Sequence, residues 1–442
     1  MFATPVTLGH ALVRRDVRRD VRPSGRKGRS SKPIVVCVRA SNDDAPPSDV
    51  TRRAVFSTAA GLAAGVLAND QVLKKSGVVL PGQRSWDSNV AFAADLPSVP
   101  KAKDALKHTN GSITPSQVIK GCWQLSGGHR GDASTDRTSG TAAVEDFAPF
   151  VTSGITTFDT GPEACGYGPS ELVIGEALKK NLINRSDVQI FTKLCCVGRE
   201  QQNMTKEFIT QKLELPKRRL GVDKLDLVQM YWNDYGQKHY VDAALYLTEA
   251  KNNGLIGAVG LTNFDTKRMA EMVDAGAEIS SNQIQFSLLD RRPEKVMVDY
   301  CKKNGVGLLP YGVVAGGLLS DKFLALPGED VVLDTSSKRK YASVLGYAGG
   351  YTWFQTLLQV LKQIGDKHGG ISIANVASKW VLDSEVVPAV ILGARNANHV
   401  EDHKLLFSFN LDDADRKAIR DVLDSGKKPK EDCYQYERGG GW

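Results

Sequence analysis

The stretch Ile155-Thr-Thr-Phe-Asp159-Thr-Gly-Pro-Glu-Ala-Cys165-Gly-Tyr167-Gly-Pro-Ser-Glu171 is answered one apolar run later by Ile190-Phe-Thr-Lys193-Leu194. Both begin as short apolar, β-branched runs of strand length, and the helical pattern 170–180 lies between them, so the pair reads as strand, helix, strand. An aspartate closes the first strand, a tyrosine sits in the glycine-rich turn behind it, and a lysine closes the second. In a parallel sheet these ends share one edge, which brings three titratable groups to one rim. That is the outline of a proton-donating site.

The same unit repeats on both sides. Strand 118–123 and helix 141–152 precede the stretch. Strands 188–193, 225–232, 258–263, 281–286 and 306–311 follow strand 155–159, with helices 205–220, 241–252, 267–275 and 295–304 between them. Helices 353–368 and 373–383 and strand 390–392 complete eight strands, each followed by helical material. Eight such units over about 300 residues predict an α/β fold of the (β/α)8 TIM-barrel type. A doubly wound sheet would instead carry a glycine fingerprint after its first strand, and the glycines of 127–131 have the wrong spacing and open no helix. Asp159, Lys193, Tyr231 with Trp232, Thr262 with Asn263, Gln283 and Tyr311 fall at the C-terminal ends of six different predicted strands, the mouth where barrel enzymes keep their chemistry.

From about Ile119 to Leu423 the chain resembles the aldo-keto reductase superfamily. The resemblance rests on Phe158-Asp159-Thr160, Tyr167-Gly168-Pro169-Ser170-Glu171, Thr192-Lys193, Asp226-Leu227-Val228-Gln229, Gly260-Leu261-Thr262-Asn263-Phe264 and Asn282-Gln283-Ile284-Gln285-Phe286-Ser287. Pro310-Tyr311-Gly312, Ala315-Gly316-Gly317-Leu318-Leu319 and Ile391-Leu392-Gly393-Ala394-Arg395-Asn396 continue it in the same order. It implies a barrel that uses NADP(H) to interconvert a carbonyl and an alcohol, with a small carbonyl compound as substrate. Hydride delivery leaves negative charge on the carbonyl oxygen, which then takes a proton. A phenol with a pKa of about 10 donates reluctantly, and a neighbouring ammonium held by a carboxylate would lower that value. The resemblance assigns Tyr167 as acid/base, Lys193 as its tuner and Asp159 as the lysine's partner. Tyr231 stands where many members have histidine, and it can donate to a carbonyl oxygen without imidazole's geometry or easy charging. Tyr167 also lies eight residues after Asp159, a longer gap than the family pattern, so the turn must bulge.

The remaining site positions follow from what a nicotinamide dinucleotide needs. The resemblance places Thr262, Asn263 and Gln283 at the carboxamide, the Tyr311 ring under the nicotinamide, and Gly312, Gly316, Gly317 and Leu318 at the pyrophosphate. Gly393, Ala394, Arg395 and Asn396 precede a helix and suit an adenosine 2'-phosphate, while His399, Asp402 and His403 hold the adenine-side positions. Trp123 and Trp232 suit an apolar substrate wall. The segment 312–353, rich in Gly, Ser and Lys, is either a clamp over the cofactor or an unstructured insert. Three functions stay open: a reductase of aldehydes or ketones, a nucleotide-binding regulatory or scaffold barrel with little turnover, and a reductase of a vitamin-like aldehyde.

Composition narrows the partners. Residues 1–93 hold 15 of the 57 basic and 7 of the 50 acidic residues, so 94–442 carries 42 against 43. The formal charge of +7 therefore belongs to the leader, and no nucleic-acid groove of clustered basic and aromatic residues is expected on the body. The leader's first part is rich in Arg and Ser. It is followed by Arg52-Arg53, a short apolar run and Ala91-Phe92-Ala93, an order that resembles a transit peptide and then a twin-arginine signal. A chloroplast address, thylakoid lumen or stroma, is expected for the domain 94–442. No membrane-spanning helix is expected there. Seven cysteines with no repeated spacing suggest neither a disulfide framework nor a metal site, and Cys122 and Cys165 draw notice only by lying near the site.

Overall fold

The computed structural model describes residues 96–126 and 140–442. The expected leader over 1–93 and the glycines of 127–131 lie outside the described residues. Eight parallel strands form one sheet: β1 (Val118–Gly121), β2 (Thr157–Asp159), β3 (Gln189–Cys196), β4 (Leu225–Trp232), β5 (Ile256–Thr262), β6 (Ile279–Gln285), β7 (Gly307–Tyr311) and β8 (Val390–Gly393). They run in chain order from β7 down to β1, with β8 laid beside β1 in the register Ile119↔Ile391. Leu308 N donates to Val386 O at 2.8 Å, which joins β7 to the segment entering β8 and closes the barrel.

The two-residue period of a strand builds the interior in layers. Ile119, Phe191, Leu227, Ala258, Leu309 and Ile391 point inward and pack with Leu106 and Ile113 as an apolar plug. Leu106 and Ile113 belong to an N-terminal hairpin whose arms pair at Lys101↔Ser116. One pleat step further, on the same faces, come Lys193, Gln229 and Tyr311. The polar residues of the mouth therefore rest directly on the apolar plug. The outward faces pack the helices, with Phe150, Phe158, Trp232 and Phe264 among the buried side chains of that shell.

Helices start where the sequence supplies caps: Thr205 accepts from Phe208 N, Asp265 from Arg268 N, and Asp412 forms a reciprocal capping box with Asp415. Most elements fall within two residues of the sequence expectation, and β4 matches it. Three features go beyond it. The expected single helix over 141–152 is two, Gly140–Glu145 and Phe147–Thr152. The segment after β7 contains the helix Ser336–Ala348. The residues after helix Asp413–Ser425 turn back across the ends of β4 to β7. Among the described residues no helix is long and apolar enough to cross a membrane.

Candidate active site

Asp159, 2% exposed at the end of β2, is the point on which the site converges. Its Oδ1 accepts from Lys193 Nζ at 2.6 Å, Gln283 Nε2 at 2.6 Å and Gln229 Nε2 at 2.9 Å, and its Oδ2 accepts from the Tyr167 hydroxyl at 2.7 Å. The donors come from β3, β6, β4 and the loop after β2, so barrel closure is what assembles them. Lys193 Nζ also donates to Thr160 O at 2.9 Å, and the Lys193–Asp159 pair is almost wholly buried. Burying two charges is costly unless the spare lone pairs are bonded, and here they are. Gln229 carried no assignment in the sequence, although its motif was visible there. Only closure shows that its amide reaches Asp159.

The bulge places Tyr167 despite its distance along the chain. Gly166 and Gly168 adopt φ of 79° and 53°, and a Cβ on Gly168 would lie 2.8 Å from Ser126 O, so the turn needs glycine there. The Lys193 ammonium lies 4.2 Å from the centroid of the Tyr167 ring, facing the ring rather than the hydroxyl. Burial raises the phenol well above its ordinary value, and the Asp159 charge and its acceptance of the hydroxyl proton raise it further. Burial pulls the Lys193 ammonium down, against the opposing charge of Asp159. The expected lowering of the tyrosine by the lysine is thus reversed in this arrangement, first because the phenol is buried and then because the carboxylate, not the ammonium, is bonded to its oxygen.

A cleft of about 180 Å³ opens beside this cluster, lined by Tyr231, Asn233, Asn263, Tyr311, Lys340, Tyr434, Glu437 and Arg438. Of the four proposed catalytic residues only Tyr231 lines it. Thr262 donates to Gln283 Oε1 at 3.4 Å, and Asn263, at φ 62°, accepts from the Tyr311 hydroxyl at 2.9 Å. The Gln283 amide, expected at a carboxamide, is turned to Asp159 and to Gln229 Oε1 at 2.8 Å. Lys340 Nζ stands 5.0 Å above the Tyr311 ring. The C-terminal segment supplies the rest: Tyr434 accepts from Gln285 N at 2.8 Å, and Arg438 donates to Trp232 O at 2.8 Å and Asn263 O at 2.9 Å. The sequence signal for this segment was its concentration of Tyr434, Tyr436, Arg438 and Trp442.

The glycine turn after β7 is occupied by the chain itself. A Cβ on Gly312 would collide with the Tyr341 hydroxyl, and one on Gly316 would come within 2.8 Å of Ser337 Cβ, so helix Ser336–Ala348 sits on the turn. Gly317, at φ 91°, has nothing within 4 Å of its Cβ direction, and Leu318 is buried beside it. After β8, Lys120 donates to Ala394 O at 3.2 Å, Gly393 lies against the Gln124 amide, and Asn396 caps the turn Ala397–His399. His403 is buried, its pKa pushed down to about 3 by burial first, and its Nδ1 has no partner among the described residues. Asp402 is pushed up to about 6 by burial, opposed by its bond from Asn375. Arg395 is half-buried.

Two further expectations are corrected. Trp232 is not a pocket wall: strand alternation turns Tyr231 inward and Trp232 outward, where its indole N–H meets Asp234 O and Gln237 O at 2.9 Å. The cysteines are not all free thiols: Cys165 and Cys195 form a disulfide with Cα atoms 5.9 Å apart. Trp123 is half-buried, and its Nε1 lies 3.6 Å from the Cβ direction of Gly166, beside the tyrosine loop. Among the described residues no cluster of metal-ligating side chains occurs.

The family model for the aldo/keto reductase family matches residues 117–424. The chain belongs to that family. Its relatives include an NADH-specific methylglyoxal reductase of Escherichia coli (strain K12), 24% identical over 71% of this chain and 96% of that protein. The aldo-keto reductase YhdN of Bacillus subtilis (strain 168) is 26% identical over 71% of this chain and 91% of its own. Among solved structures, a glycerol dehydrogenase of Gluconobacter oxydans superposes with a TM-score of 0.58 at 25% identity, covering 73% of this chain and 95% of that one. Members of the family reduce carbonyls with nicotinamide cofactors. The donor set here suits such a cofactor in kind: Gly317 keeps an open face, His403 Nδ1 is a buried polar atom with no partner among the described residues, and Lys340 stands over the Tyr311 ring.

Proposed function

We propose that this aldo/keto reductase is NADP(H)-dependent and reduces an aldehyde or ketone to the alcohol, with Tyr167 as its proton donor. What carries the reading is the buried Asp159 carboxylate with a lysine and a tyrosine bonded to it at 2.6 Å and 2.7 Å. A structural ion pair at a barrel rim has no need of the phenol. Thr262, Asn263, Gln283 and Tyr311 would hold the nicotinamide end, Gly312, Gly316, Gly317 and Leu318 the pyrophosphate, and Gly393, Ala394, Arg395 and Asn396 the adenosine phosphate. His399, Asp402 and His403 would flank the adenine, and the Arg395 guanidinium favours a 2'-phosphate. When bound, the reduced nicotinamide supplies the hydride.

The chain's own part is the proton. The Tyr167 hydroxyl must turn from Asp159 Oδ2 toward the cleft, which gives up one charge-assisted hydrogen bond of about 1.5–3 kcal/mol. Asp159 keeps its three donors on Oδ1 through that turn, so Lys193 stays in place to stabilise the phenolate left behind. Tyr231, on the cleft wall, can donate to the same carbonyl oxygen. The purified protein titrated with NADPH and NADH by fluorescence, then assayed with a panel of aldehydes and ketones, tests the reading. Binding and oxidation of NADPH by at least one carbonyl is expected, and binding with no oxidation by any would refute it.

That second outcome is what the other reading requires, a nucleotide-binding regulatory barrel with little turnover. Tyr231 in place of histidine and the withdrawn Tyr167 hydroxyl favour it. The leader supports a chloroplast address, in lumen or stroma. Import of a fusion carrying residues 1–93 into isolated chloroplasts, followed by fractionation, tests it, and a fusion left outside would refute it.

A further inference from the structure

The disulfide joins the two arms of the candidate site. Cys165 lies two residues before Tyr167 in the bulged loop, and Cys195 lies two residues after Lys193 on β3, where its register partner is Tyr231 on β4. The hydrogen bonds of residues 162–166 among the described residues are internal to the loop, Cys165 N to Pro162 O at 2.9 Å and Gly166 N to Glu163 O at 2.8 Å. The bridge to Cys195 is therefore the strong link between this loop and the barrel wall. With it in place, the Tyr167 hydroxyl faces Asp159 and not the cleft.

The two sulfurs differ in access. Cys195 is buried, whereas Cys165 is half-buried between the exposed Glu163, Ala164 and Gly166. Burial pushes the free thiols of Cys122 and Cys196 up to about 11 and about 12, which disfavours the thiolates that an internal attack on the bridge would need. A latch that answers an external dithiol and no internal one has these properties.

We propose that Cys165–Cys195 is a thiol–disulfide exchange site for a small-molecule or protein dithiol, and that its reduction releases Tyr167 from the withdrawn position; the functional part rests on the reading of Tyr167 as proton donor. One thiolate of the dithiol attacks Cys165 Sγ, the Cys165–Cys195 bond breaks, and Cys195 leaves as a thiolate that takes a proton. The second thiolate of the dithiol then attacks the reductant's own sulfur in the mixed disulfide, and Cys165 leaves and is protonated. Two electrons and two protons pass from the dithiol to the protein, and the reductant ends as its disulfide.

The test follows two readouts on the full chain before and after dithiothreitol, and in Cys165→Ser and Cys195→Ser, with Cys433→Ser as a control that stays reducible. Amide exchange of residues 162–168 is expected to speed by on the order of tenfold on reduction and in both variants. Carbonyl turnover is expected to rise by about three- to tenfold, and the Cys165→Ser protein is expected to be indifferent to dithiothreitol. Unchanged exchange of the loop, in the reduced wild type and in Cys165→Ser alike, overturns the latch. Faster exchange with lower turnover also overturns it, since the bridge would then hold a working tyrosine. A released loop with no turnover in any redox state supports the latch and refutes the reductase reading instead. Should Cys195→Ser fail to fold at its buried position, the reduced wild type and Cys165→Ser still decide.

Discussion

Removing either half of the buried Lys193–Asp159 pair should cost very different amounts. In Lys193→Met the carboxylate keeps Tyr167 at 2.7 Å, Gln283 at 2.6 Å and Gln229 at 2.9 Å. Three bonds to a charged acceptor persist, and relief of the cost of burying the ammonium offsets part of the two bonds it gives up, to Asp159 and to Thr160 O, so the net loss is about 1.5–3 kcal/mol. In Asp159→Asn the amide oxygen can still accept from the ammonium, which also keeps Thr160 O at 2.9 Å, but the buried ammonium loses its countercharge. Leaving such a charge uncompensated costs about 3–5 kcal/mol, and the asparagine NH2 group, in the place of Oδ2, obliges the Tyr167 hydroxyl to turn and accept. The double variant should recover part of the second loss, because it removes the stranded charge. Urea unfolding of the wild type and the three variants, fitted as a double-mutant cycle, measures each term. If Lys193→Met proves as destabilising as Asp159→Asn, or the double variant is no better than Asp159→Asn, the carboxylate is not the point on which the site converges.

Three further outcomes are expected. Burial moves His403 from 6.5 down to about 3, so its contribution to stability is present above the ordinary histidine range and is lost as pH falls below about 6.5, while the raised Asp402 acts with the opposite sign as pH rises through about 6. His403→Gln should therefore gain on the wild type by about 2 kcal/mol between neutral pH and a pH of about 5, read from urea midpoints, and a constant difference would refute the burial account. Tyr341→Ala, which uncovers Gly312, should tighten NADPH binding on the order of tenfold in a fluorescence titration, whereas weaker binding would make Tyr341 part of the nucleotide site. Trp232→Phe should lower stability by about 2 kcal/mol through lost packing and indole bonds and leave KM for any substrate unchanged.

Much of the barrel was legible because each strand carries its own signal. Short β-branched runs ending in Asp159, Lys193, Tyr231, Thr262, Gln283 and Tyr311 need no partner to be recognised, and their common polarity implies a parallel sheet with one functional mouth. The helix Ser336–Ala348 and the C-terminal segment were harder to read. Lys338, Arg339 and Lys340 in a Gly- and Ser-rich region give a weak helical pattern, and the tail has no periodicity. Both are held by tertiary contacts, Tyr341 on the Gly312 turn, and Tyr434 and Arg438 on the ends of β4 to β7.

The asymmetry ends at Asp159. Local pattern determined that an aspartate, a tyrosine and a lysine would reach one rim, because strand ends and turns are written in neighbouring residues. Which oxygen the tyrosine proton serves, which face of its ring the ammonium meets, and that Gln229 and Gln283 complete the carboxylate's shell were decided only by closure of the barrel. So was the bridge from Cys165 to Cys195. Those contacts join residues 8 to 124 positions apart, and hydrogen-bond direction and thiol pairing depend on distances of a few tenths of an ångström that no sequence period encodes.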